Sequence, residues 1–65
     1  MNRRESAIIS AFTGILAGPF DALHEYVEEI LERPVFTHEM GIKEIAEEIK
    51  EKSREDFINL AKSVE

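Results

Sequence analysis

The chain has 65 residues, no cysteine and a formal net charge of −6, from 8 Lys and Arg against 14 Asp and Glu. This length allows at most one domain, residues 1–65, which buries too little apolar surface to be more than marginally stable alone. The missing cysteines exclude disulfides, cysteine-ligated zinc and thiol catalysis, and the acidic balance argues against DNA or RNA as a partner. Self-association is therefore the expected source of extra stability.

The sequence contains no apolar run long enough to span a membrane. Its start, MNRRESAIISAF, places positive charge before apolar residues, as a signal peptide does. However, Glu5, Ser6 and Ser10 interrupt the apolar part. We therefore expect a cytoplasmic protein without a membrane partner.

The first predicted helix covers residues 4–17. Gly18 and Pro19 end it and start the next helix, because glycine suits a helix C-terminus and proline suits a first turn. Gly14 costs about 1 kcal/mol relative to alanine inside a helix, so a close backbone approach is expected there. Thr13 and Gly14 therefore mark either tight packing or a place where a ligand approaches. The apolar positions of this helix recur at three- and four-residue steps: Ile8, Ala11, Phe12, Ile15 and Leu16.

The second predicted helix covers residues 19–32. Arg33-Pro34 ends it, because the residue before a proline is pushed out of the α region. Residues 34–37 then form an extended connector, or pair with a symmetry mate as a two-stranded ribbon. One face of the helix is apolar: Phe20, Leu23, Val27, Ile30 and Leu31. The other face is acidic: Glu25, Glu28, Glu29 and Glu32.

The third predicted helix begins at Thr37, a plausible N-cap, and follows an apolar stripe to Val64. Ser53-Arg-Glu-Asp56 resembles a capping box, so the segment is either one helix of about 26 residues or two with a kink near Ser53. Unbroken, it spans about 39 Å, which is longer than the other helices can cover. The prediction is an all-α domain of three helices, or four with the kink, assembled as a homodimer or higher oligomer.

Residues 32–40, ERPVFTHEM, are the first candidate binding segment. Arg33 offers a forked donor for a carboxylate or phosphate. Thr37 and the free N–H groups at a helix start favour an anion. His38 adds a donor or acceptor, and Tyr26 is available to stack on a planar group.

Simpler interpretations of these residues exist. Arg33 pairs with Glu29 or Glu32, Thr37 only caps a helix, and His38 faces water. His24, at the edge of an apolar stripe, is more often bonded to one carbonyl than to a ligand. The acidic faces are solvated, with helical ion pairs expected at Glu47–Lys50 and Glu48–Lys52.

Residues 11–40, AFTGILAGPFDALHEYVEEILERPVFTHEM, resemble a family of short, uncharacterised bacteriophage proteins. The shared pattern is a T-G, then F-x-x-x-H-x-Y on a helix, then R-P-V-x-T-H-E. The match covers nearly half of the chain and continues loosely through EIAEEIKEKSREDFINL. In this sequence its polar positions are Thr13, Gly14, His24, Tyr26, Arg33, Thr37, His38 and Glu39.

The resemblance implies a non-enzymatic antagonist of host defence that acts in the bacterial cytoplasm without a cofactor. Our preferred hypothesis is a protein that sequesters a small nucleotide-derived immune signal in a pocket between subunits. Arg33 would hold a phosphate and Tyr26 would stack. Further polar contacts would come from His24, Thr37, His38 and Glu39.

Two other hypotheses belong to different classes. The first is an acidic inhibitor of a host defence protein or nucleic-acid-binding protein, acting through the glutamate-rich faces of helices two and three. The second is a small metal-dependent hydrolase. It would use His24 and Glu28 on one helix, with His38 as a further ligand if the fold brings it near.

Overall fold

A computed structural model describes residues 2–63, which are entirely helical apart from connectors. The elements are α1 (Arg3–Thr13), α2 (Phe20–Leu31), a 3₁₀ helix (Thr37–Gly41) and α3 (Lys43–Ser63). The prediction of an all-α domain with three helices is confirmed. Val64, the end of the predicted apolar stripe, lies outside the described residues.

Helix α1 has a well-defined cap at each end. Asn2 Oδ1 accepts from the Glu5 N–H at 2.7 Å, and Glu5 Oε1 accepts from the Asn2 N–H at 3.0 Å, which forms a capping box. Gly14 adopts the left-handed conformation, with φ at 78°, and its N–H donates to the Ser10 carbonyl. The helix therefore ends at Thr13 and not at residue 17, and the prediction that Gly14 lies inside it is wrong.

The connector 14–19 runs back along α1. The Ala17 N–H donates to Ser10 Oγ at 2.8 Å. Further on, Gly18 lies so close to Ser6 that an added Cβ would be 2.4 Å from Ser6 Oγ. The close approach that the sequence suggested for Gly14 thus occurs at Gly18, whereas the helix stop assigned to Gly18 is supplied by Gly14.

Helix α2 holds its predicted position within one residue at each end. Pro19 is its N-cap, and Glu32 ends it in the left-handed conformation, with φ at 56°. Pro34 then keeps the following chain out of the helix. Residues 34–36 form an irregular connector without a strand.

Helix α3 is continuous from Lys43 to Ser63, so of the two predicted alternatives the structure has the unbroken helix and not the pair with a kink near Ser53. Ser53 is fully buried and its hydroxyl donates to the Lys50 carbonyl at 3.1 Å. The helix begins at Lys43 because residues 37–41 form the 3₁₀ helix. Thr37 therefore does not cap α3; it is the first residue of the 3₁₀ helix, whose N-cap is Phe36. The 21 residues of α3 span about 31 Å.

The core is small and contains few large side chains. Among the residues that the structure describes, the largest side chains that are less than 2% exposed are Val27 and Ser53. Three of the eight core residues are alanines, which leaves little apolar area to offset the entropy lost on folding. The core residues are Ala7, Ile8, Ala11, Ala22, Tyr26, Val27, Val35 and Ile49.

Candidate functional site

The segment from Arg33 to Gly41, which we call the strap, is fastened to α2 by two polar side chains. His24 Nε2 donates to the Val35 carbonyl at 2.5 Å. Glu28 Oε2, one turn further along α2, accepts from the Val35 N–H at 2.9 Å. Val35 is buried outside any regular element, so both of its backbone polar groups need partners. His24 and Glu28 supply them, in line with the simpler interpretation of His24.

An ion pair closes the strap on itself. Arg33 Nη1 donates to Glu39 Oε2 at 2.9 Å and to the Pro34 carbonyl at 3.2 Å. The Arg33 guanidinium holds the pKa of the Glu39 carboxyl below its usual value. The partner of Arg33 is thus Glu39, and not Glu29 or Glu32 as the sequence suggested.

The remaining polar residues of the strap lie on its exposed side. Thr37 begins the 3₁₀ helix and is exposed, as is His38. The His38 ring stacks on Phe36, with 5.9 Å between ring centroids and 9° between planes. Thr37 and His38 are therefore accessible from outside the protein.

Tyr26 is buried among the three helices. Its hydroxyl donates to Asp56 Oδ2 at 2.5 Å, and the Arg4 guanidinium carbon lies 5.3 Å from its ring centroid. Burial, followed by the hydrogen bond to Asp56, raises the pKa of Tyr26. Only 3% of the residue is exposed, so its ring has no free face for a ligand in this state.

The candidate residues do not converge on one site. Tyr26 faces Arg4 and Asp56, whereas His24 faces the strap. His24 and Glu28 are 3.6 Å apart, but within residues 2–63 no three His, Cys, Asp or Glu side chains are grouped to hold a metal ion. The other candidates divide between the strap and the end of α1: Arg33, Thr37, His38 and Glu39 on the former, Thr13 and Gly14 on the latter.

An apolar groove of about 550 Å³ opens beside the end of α1, between α2 and the first half of α3. Thr13 and Gly14 are part of its lining, as is Met40 of the strap. Its volume is in the range of small-molecule sites, about 300–1,000 Å³. Two large apolar residues of the lining are exposed, Leu16 by 56% and Phe20 by 42%. We call this feature the groove.

The cationic side chains divide into a paired set and an unpaired set. Arg3 pairs with Asp21 and Glu25, Arg4 with Glu29, and Arg33 with Glu39. The unpaired set lies entirely on α3, where no described carboxylate comes within 4 Å of Lys43, Lys50, Lys52, Arg54 or Lys62.

Two members of the unpaired set, Lys43 and Lys50, line the groove. Lys50 Nζ lies 5.6 Å from the Phe12 ring centroid. The ion pairs predicted at Glu47–Lys50 and Glu48–Lys52 are not formed. The groove therefore combines apolar walls with two lysines and one glutamate, Glu47, in a chain whose net charge is −6.

Comparison with known families gives a match over nearly the whole chain. The model of a family described as a domain of unknown function (DUF7736) matches residues 3–63. Comparisons with curated proteins and with solved structures give no match. In addition, no helix within residues 2–63 is long and apolar enough to cross a membrane.

Proposed function

We propose that this chain, which belongs to the DUF7736 family, is a non-enzymatic protein that sequesters a small nucleotide-like ligand in the groove. The observation that carries the proposal is the apolar groove edged by Lys43 and Lys50, neither of which has a carboxylate within 4 Å among residues 2–63. A nucleotide has a flat base for apolar walls and a phosphate for lysine ammonium groups.

The geometry of the groove suits the two parts of such a ligand. Leu16 and Phe20 present exposed apolar surface against which a base can lie. Lys43 and Lys50 are seven residues apart, so they lie on one face of α3 at a rise of about 10 Å. A phosphate bound at this edge receives charge-assisted hydrogen bonds, which are stronger than those between neutral groups.

In this proposal the polar residues of the strap support the site from outside. Met40 belongs to the strap and lines the groove. The strap is fixed by His24, by Glu28 and by the Arg33–Glu39 pair. These side chains would therefore set the position of one wall rather than contact the ligand.

A second copy of the chain would close the open side of the groove. Ile15 and Leu16 are 71% and 56% exposed, and both belong to the connector that borders the groove. Clustered exposed apolar residues mark interaction surfaces, and a domain with so small a core gains stability from association. We propose a homodimer or higher oligomer with the ligand between subunits.

The biological setting of the proposal rests on the resemblance to bacteriophage proteins. A phage protein that removes a nucleotide-derived immune signal from the bacterial cytoplasm would antagonise host defence without catalysis. The unpaired lysines at the groove would supply the affinity for an anionic signal. No cofactor is needed for this activity.

A second candidate function is supported by an acidic stripe on α3. Four exposed glutamates follow one another at steps of four, three and four residues and therefore lie along one face. None comes within 4 Å of a described cationic group, whereas the acidic residues of α2 are largely paired with Arg3 and Arg4. An inhibitor of a basic host protein would use this stripe: Glu44, Glu48, Glu51 and Glu55.

Native mass spectrometry tests the proposal. The protein is purified from cells with the defence system triggered, beside an untriggered control, and the spectrum reports subunit number and retained small molecules together. We expect an oligomer with added mass in the triggered sample. The added mass should disappear in Lys43→Gln/Lys50→Gln and persist in the matched control Lys52→Gln/Lys62→Gln.

The alternatives give different outcomes in the same experiment. Added mass that survives Lys43→Gln/Lys50→Gln would refute the groove as the site. An oligomer without added mass in either sample would favour the protein inhibitor. In that case reversal of Glu48 and Glu55 to lysine should abolish inhibition, while the groove variants should not.

A further inference from the structure

We propose that the binding site continues beyond the groove along one face of α3, and that it takes a dinucleotide rather than a mononucleotide. The inference rests on the proposed function and specifies the ligand class of the same site. It follows from a second hollow, from the spacing of charges on α3, and from the position of Lys50 between the two hollows.

The second hollow adjoins the groove. It has a volume of about 450 Å³ and is lined by Phe12, Glu47, Lys50, Glu51 and Arg54. Three of these residues, Phe12, Glu47 and Lys50, also line the groove. The two hollows are therefore neighbours that share three wall residues, and a ligand longer than the groove would reach the second hollow past these residues.

Three cations of the unpaired set line the two hollows. Lys43, Lys50 and Arg54 are separated by seven and four residues, so they share one face of α3. The corresponding rises are about 10 Å and 6 Å. A nucleoside monophosphate has one phosphate group to offer, which leaves part of this row of cations unused.

The carboxylates between these three cations indicate which class of anionic ligand fits the site. Glu47 lies between Lys43 and Lys50 in the chain, and Glu51 lies between Lys50 and Arg54. A run of consecutive phosphates, as in a nucleoside triphosphate, would be repelled by both glutamates. A dinucleotide alternates phosphates with ribose hydroxyls, and hydroxyls donate to carboxylates. On α3, cations and glutamates alternate in the same way, so each phosphate can meet a cation and each ribose a glutamate.

Aromatic packing fixes the point where the two hollows meet. Phe12 stacks on Phe57 at 4.4 Å between ring centroids, with 15° between planes. The Lys50 ammonium lies 5.6 Å from the Phe12 centroid, a cation–π distance. Because Phe12 is held by Phe57, it holds Lys50 near the boundary, where a linking phosphate would lie.

The test measures the affinity of three probes by isothermal titration calorimetry at one ionic strength: AMP, ATP and the linear dinucleotide pApA. We expect pApA to bind at least about tenfold tighter than AMP, because it adds a charge-assisted contact. ATP should not exceed pApA despite its extra phosphates. The deoxyribose form of pApA should bind more weakly than pApA.

Variants locate the second subsite. Arg54→Gln should lower the affinity for pApA to that of AMP, whereas Lys62→Gln, a cation outside both hollows, should leave all affinities unchanged. Circular dichroism of each variant confirms that it folds. Equal affinities for AMP and pApA, or an unchanged pApA affinity in Arg54→Gln, would overturn the extended site. AMP binding that still depends on Lys43 and Lys50 would then leave the proposed function standing. Absence of binding by all three probes would overturn both.

Discussion

Replacement of Gly18 by alanine should destabilise the fold, because Gly18 lies directly against Ser6 of α1. An added Cβ would be 2.4 Å from Ser6 Oγ and 2.6 Å from Ser6 Cβ. Ser6 has little room to yield: it is 5% exposed, and its hydroxyl donates to the Arg3 carbonyl at 2.9 Å. The connector 14–19 must therefore move away from α1.

The size of the effect follows from two losses. Forcing an extra methyl group into a packed site costs about 1–3 kcal/mol. Moving the connector also breaks the hydrogen bond from the Ala17 N–H to Ser10 Oγ, 2.8 Å long, at about 1 kcal/mol. A total of about 2–4 kcal/mol is a large share of the roughly 3–10 kcal/mol expected for 65 residues. Each kcal/mol should lower Tm by about 4–8 °C.

Urea unfolding followed by circular dichroism, at equal protein concentrations, measures this effect. Gly41→Ala is the matched control, because no heavy atom lies within 4 Å of its added Cβ and its φ is not in the left-handed region. Ser6→Ala should rescue Gly18→Ala only in part, since the Ser6 Cβ contact remains. If Gly18→Ala proves as stable as wild type, the close approach of the connector to α1 is wrong.

Three further changes test contacts that hold the fold together. Tyr26→Phe should lower the free energy of unfolding by about 1.5–3 kcal/mol, through loss of the hydrogen bond to Asp56. Because the pKa of Tyr26 is raised, the unfolded chain loses this proton near pH 10, before the folded chain does. Wild-type stability should therefore fall above that pH and the advantage over Tyr26→Phe should shrink, as urea melts at neutral and alkaline pH would show. Glu28→Ala should speed hydrogen exchange of the Val35 amide, which donates to Glu28 at 2.9 Å, with unchanged exchange contradicting the fastening of the strap. Asn2→Ala should lower stability by about 0.5–2 kcal/mol through loss of the capping box, and an unchanged thermal midpoint would argue against that cap.

Helix α2 was predictable from sequence because independent local signals agree on it. An apolar stripe defines its length, Pro19 marks its start and Arg33-Pro34 marks its end. The end of α1 was not predictable in the same way. Gly14 and Gly18 both suit a helix stop, and the choice depends on packing against Ser6, which local sequence does not reveal.

The predicted start of α3 at Thr37 was wrong for a related reason. Thr37 has the chemistry of an N-cap, but the chain there first forms a 3₁₀ helix and then passes through Ile42 in an extended conformation. The strap is held by His24 and Glu28, which precede it on α2. The start of α3 thus depends on the contacts of His24 and Glu28 with Val35, which the local sequence around Thr37 does not predict.

The partners of the polar residues also lie beyond local sequence reasoning. His24 and the Val35 carbonyl are 11 positions apart, and Tyr26 and Asp56 are 30 positions apart. From residue type alone, such side chains suggest ligand contacts. The groove was missed because it depends on the early end of α1 at Gly14. One signal was available: Lys43, Lys50 and Arg54 share a helical face.

Arg33→Ala separates a direct role of the strap from an indirect one. Arg33 is paired with Glu39 at 2.9 Å, and the strap that this pair closes carries Met40 into the groove lining. If Arg33 acts only by fixing this wall, its loss should weaken adenosine and AMP by the same factor, because neither loses a charge contact. Lys50→Gln should instead weaken AMP and spare adenosine. Calorimetry with both ligands distinguishes the two patterns. A loss in Arg33→Ala confined to AMP would mean that Arg33 leaves Glu39 to bind phosphate itself, as its residue type alone predicts.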